Sequence, residues 1–84
     1  MRKSDFIRNN IEIINKEYES TLNILVEKLE SHGYVNEPLS YPNTPTGVIL
    51  EVSERIKDTL TQNGWVVECS FGGGMNNKLH FIIA

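Results

Sequence analysis

The sequence predicts an α+β fold: a long N-terminal helix, a shorter second helix and a C-terminal antiparallel β-hairpin, with dimerisation as a means of completing the sheet. Three observations carry this reading. Apolar residues recur at helical spacing from Ile7 to Leu29 and again from Val48 to Leu60, and then switch to alternate positions from Trp65 onward. With 84 residues the chain is a single domain, residues 1–84, whose thin core gains from any association that covers more apolar surface.

Ser4 is a suitable N-cap for the first helix, with Asp5 in the first turn where the helix dipole favours a carboxylate. Ile7, Ile11, Ile14, Tyr18, Leu22, Leu25 and Leu29 fall within roughly 80° on a helical wheel, one narrow stripe. Gly33 stands where a left-handed residue closes a helix, and Tyr34 is placed to pack back on Leu29. A helix from Asp5 to Ser31 would be about 40 Å long, against a domain diameter of roughly 30 Å. Phe6, Ile13 and Ile24 project together about 130° from the main stripe. Scattered exposed apolar residues are ordinary. Together with the excess length, this trio points to a partner or a second copy of the chain.

The segment from Gly33 to Thr44 carries or abuts Pro38, Pro42 and Pro45 and reads as a packed crossover pinned by Tyr34, Val35, Leu39 and Tyr41. The second helix is expected from Pro45 to Asn63, with Thr44 as N-cap and proline at the first helical position. Val48, Ile49, Val52, Ile56 and Leu60 form its apolar stripe, and Glu51, Glu54 and Asp58 gather opposite. Val48–Val52 is also a good strand string, so a short strand followed by a helix capped by Ser53 competes there.

In the hairpin, Trp65, Val67, Cys69 and Phe71 alternate with polar neighbours, as do Leu79, Phe81 and Ile83. Gly72 to Asn77 supplies turn chemistry. Pairing Cys69 with Leu79, Val67 with Phe81 and Trp65 with Ile83 puts the apolar side chains on one face and sets Glu68 against His80. The last strand, with Phe81, Ile82 and Ile83, is left as an uncharged open edge of the kind that natural proteins cover.

The chemistry-bearing residues form no recognised constellation. Cys69 and His80 point to opposite faces of the hairpin, and Cys69 reads as a small core residue. His32, His80 and the acidic residues lack metal-ligand spacing. The glycine run lies between two strands and lacks the lysine and hydroxyl residue of a phosphate loop. Arg2, Lys3 and Arg8 make a small basic cluster, set against a net charge of −3 and a pI near 5.3 that disfavour duplex DNA and anionic membranes as general partners. No cofactor and no metal is expected. A single cysteine and the lack of a leader-like or bilayer-spanning run indicate a reducing cytoplasm. Abundant Asn and Ile suit an AT-rich bacterial or phage genome.

The expected function is non-enzymatic protein interaction, as a small homo-oligomeric (dimeric) regulator, inhibitor or assembly factor. The candidate surface comprises Phe6, Ile13, Ile24, Phe81, Ile82 and Ile83. A nucleic-acid binder using the hairpin face is the alternative, and a small enzyme the third reading.

Overall fold

A computed structural model describes residues 1–72 and 77–84. Its elements are α1 (Lys3–Asn9), α2 (Ile11–His32), β1 (Val35–Ser40), α3 (Thr46–Gln62), β2 (Val67–Gly72) and β3 (Lys78–Ile83). The strands form one antiparallel sheet in the order β1-β3-β2. The class is α+β, with one more helix and one more strand than the sequence pattern reveals.

The expected single N-terminal helix breaks at Asn10, which has φ −118° and ψ 17°. Its side-chain amide donates to the Phe6 carbonyl at 2.9 Å, closing α1 while its own carbonyl accepts the first bond of α2 from the Ile14 N–H. Asparagine competes for local backbone bonds in this way and is a weak helix former. Helix α1 begins earlier than Ser4, and the Asp5 carboxylate accepts the Arg2 N–H. The break shortens the expected helix so that it fits a body 40 Å along its longest axis. α2 spans about 33 Å, and α1 folds over so that the Phe6 ring lies against Gly47 of α3.

At its far end α2 stops as expected, on Gly33 at φ 67°, whose N–H bonds to the Leu29 carbonyl at 2.8 Å. Tyr34, however, stays exposed rather than folding back. The crossover read at Gly33–Thr44 is a strand for half its length. Val35, Glu37 and Leu39 face the helices, and Lys28 of α2 meets the half-exposed Glu37 carboxylate at 2.8 Å. Val48–Val52 is helix, and its apolar stripe through Leu60 is buried throughout. α3 starts at Thr46, with Pro45 rather than Thr44 in the N-cap position.

α3 ends in a Schellman closure. The Gly64 N–H bonds to Thr61 O and the Trp65 N–H to Leu60 O, with Gly64 at φ 92°. Trp65 therefore belongs to the helix cap rather than to the strand, and is half-buried beside Leu60, Leu29 and Val26 instead of sitting in the core.

The hairpin register is two residues from the expected one. Cys69 pairs with Phe81, Val67 with Ile83 and Phe71 with Leu79, and Ser70 rather than Glu68 lies opposite His80. A two-residue shift keeps every side chain on its face, so Val67, Leu79, Phe81 and Ile83 are buried as expected, while Cys69 is half-buried and Phe71 is exposed. Of the turn read at Gly72–Asn77, residues 73–76 lie outside the described residues. β3 is the central strand, paired on both sides, so its edge is not open. Phe81 and Ile83 are fully buried, together with Leu79, Ile14, Leu25 and Val35, in the core between sheet and helices.

Candidate functional site

One face of the sheet carries α2 and α3, and the other faces solvent with Asn36, Pro38, Ser40, Glu68, Ser70, Lys78, His80 and Ile82. His80 Nε2 donates across the strands to Asn36 Oδ1. No aromatic side chain stands among these outward positions, because Phe81 is buried and Phe71 lies on the helix side. A base-stacking platform needs exposed aromatics beside a positive groove, and these positions hold none.

Cys69 and His80 stand on opposite faces of the sheet, as their strand positions require. Burial pushes the Cys69 thiol up, reinforced by Glu54 and opposed by Lys57, which is the opposite of thiolate activation. Tyr41 is also pushed up, chiefly by burial. Its Oη shares a 2.6 Å hydrogen bond with the buried Thr21 Oγ1, which works against the shift. Among the described residues no group of three His, Cys, Asp or Glu side chains converges on a point where a metal ion could sit. Among the described residues no helix is long and apolar enough to cross a membrane.

A groove of about 710 Å³ lies between α1 and α3. Its floor is Phe6, Ile7, Gly47 and Leu50. Arg2 and Lys3 stand on the α1 side and Glu51, Glu54 and Asp58 on the α3 side, with Arg55 tied to Glu51 at 2.9 Å. The break at Asn10 creates this groove, because a straight helix would carry Phe6 away from α3. Leu50 is 44% exposed, an apolar side chain on what the wheel marks as the polar face of α3.

The six residues expected to form an interaction surface do not come together. Ile13 and Ile24 are exposed on α2, Phe6 is half-buried on α3, Phe81 and Ile83 are in the core, and Ile82 is half-buried on the outer sheet face. Leu50 and Val66 are exposed apolar residues that the pattern did not single out, and Phe71, read on the apolar face of the hairpin, is exposed as well. Leu50 had a sequence signal, since it stands beside Glu51, Glu54 and Asp58 on an otherwise acidic face.

No family model, curated protein or solved structure matches the chain.

Proposed function

We propose that the chain is a non-catalytic protein-interaction module that works as a homo-oligomer, in the manner of a small regulator, inhibitor or assembly factor, in a reducing cytoplasm. The observation that carries this reading is the α1–α3 groove, an apolar floor between walls of opposite charge. The two titratable groups that burial shifts, Tyr41 and Cys69, lie outside it. The occupant it suits is an amphipathic helix of another protein. Its apolar ridge would seat on Phe6, Ile7 and Leu50, with a basic flank toward Glu54 and Asp58 and an acidic flank toward Arg2 and Lys3.

Site-specific photo-crosslinking in extracts of the source cell tests this. A photoreactive residue at Leu50 is expected to give one dominant adduct with another protein, reduced at least tenfold by the charge reversals Arg2→Glu and Lys3→Glu. The same probe at Asn23, an exposed position on α2 away from the groove, is expected to give none. Equal adduct patterns from the two positions would contradict the groove as the docking site.

A further inference from the structure

Among the described residues the sheet has two free edges, and they differ. The mutual hydrogen bonds between Val66 and Ala84 fix the alternation of the β2–β3 ladder. Even-numbered residues of β2 bond to β3, so the N–H and C=O groups of Val67, Cys69 and Phe71 point to the free edge. By the same alternation the odd residues of β3 bond to β1, and the Tyr41 N–H to Asn77 O bond continues that ladder. Pro38 of β1 then lies where its missing N–H faces outward. β1 is thus an edge blunted by proline, whereas β2 presents three uninterrupted donor–acceptor pairs with no proline or charge among them.

We propose that β2 pairs with β2 of a second copy, antiparallel about a twofold axis at Cys69, to form a continuous six-stranded sheet. This rests on the homo-oligomeric part of the reading above and names its surface.

The register follows from hydrogen bonds and charge. Centring on Cys69 places Val67 opposite Phe71 of the second copy and uses all three residues' edge groups, giving six hydrogen bonds in the alternation of an antiparallel pair. Centring on Glu68 would set two carboxylates face to face and would call on the Trp65 N–H, already bonded to Leu60 O. Centring on Ser70 leaves Val67 beyond the paired length of the strand. The Cys69 register sets Glu68 opposite Ser70 instead and covers the exposed edge of Phe71.

The helix layer agrees with it. α3 packs over β2, and its α2-facing flank is marked by Arg55 bonded to Asn15 and Thr59 bonded to Tyr18. Glu54 and Lys57 lie roughly 150° round from that flank, toward the free edge. Both lie close enough to Cys69 to bear on its thiol. A twofold axis there brings Glu54 of each copy toward Lys57 of the other, a self-complementary pairing. The strip is about 20 Å long and two layers deep, at the small end of specific interfaces, so the association belongs in the micromolar range.

Sedimentation equilibrium with charge-swapped variants tests this. The wild type is expected to be a monomer–dimer mixture, Lys57→Glu to weaken association at least tenfold, and the double reversal Glu54→Lys/Lys57→Glu to restore it to within about threefold, all with unchanged circular dichroism. Paired strands at that register bring the two Cys69 Cα atoms to about 5.5 Å, within disulfide reach. Copper(II) as oxidant, taking two electrons as two thiols lose two protons, should link the dimer through Cys69. With Cys69→Ser/Glu68→Cys the cysteine is offset from its own copy and should link poorly. A dimer indifferent to Lys57→Glu and not linked through Cys69 overturns the β2 surface while leaving homo-oligomerisation intact. A monomer at millimolar concentration removes both, and leaves the groove to the crosslinking test above.

Discussion

At the scale of single residues, the most consequential polar contact is buried. Thr21 on α2 and Tyr41 just after β1 share a 2.6 Å hydrogen bond, and both are nearly inaccessible to water. Removing one hydroxyl strands the other without a partner, which costs about 1–3 kcal/mol, whereas removing both leaves an apolar contact of similar shape. Thr21→Val and Tyr41→Phe are each expected to destabilise by that amount, and the double variant by less than their sum, as measured in a denaturant-melt double-mutant cycle. The sign of the alkaline response follows from the same burial. The folded state holds the Tyr41 proton above the ordinary value near 10, so the unfolded chain ionises first. Stability is therefore undiminished by this group below that value and falls as pH rises through the folded one. Tyr41→Phe should flatten the melting-temperature slope in that window. The Cys69 thiol acts in the same direction, starting from its ordinary value near 9.

At the scale of elements, α1 is the piece most easily moved. A Cβ at Gly47 would lie 2.8 Å from Cε1 and Cζ of Phe6, closer than atoms pack, so the ring must leave its seat. Alanine contributes about 1 kcal/mol of helix propensity to α3, and undocking a half-buried phenylalanine costs a comparable amount. Gly47→Ala is expected to leave the melting temperature within a few degrees of wild type while amide exchange across Lys3–Asn9 speeds up. Unchanged exchange there would mean that Phe6 does not hold α1 in place. The elements also differ in how legible they were. α3 and most of α2 could be read because their apolar stripes match the helical period and are capped by Gly33 and Asn63-Gly64. β1 was hidden by Glu37 at an inward position, where Lys28 of a distant helix neutralises it, and by Pro38, whose tolerance depends on which ladder its N–H would have faced. The break at Asn10 was invisible because Ile7, Ile11 and Ile14 keep helical spacing across it, although Ile11 ends up exposed. The hairpin register slipped by two because period-two alternation is unchanged by any even shift.

At the scale of the whole molecule, β1, α3 and β2 make a crossover between two strands that run parallel, with β3 inserted antiparallel between them. That topology turns the last strand from an edge into the centre of the sheet and moves the unpaired backbone to β2. It was out of reach of the sequence because β1 was not recognised and a hairpin alone leaves its final strand open. The candidate site was correspondingly less legible than the fold. Ile13 and Ile24 are exposed as expected, but the groove and the free edge are products of the break at Asn10 and of the strand order. Self-pairing through β2 is the claim that joins fold to function, and residue-resolved amide hydrogen exchange at micromolar and millimolar chain concentrations tests it most directly. The N–H groups of Glu68 and Ser70, bonded to β3, should be protected at both concentrations. Those of Val67, Cys69 and Phe71 should exchange freely in dilute solution and become protected in concentrated solution. Exchange at these three positions that does not change with concentration would contradict pairing through β2.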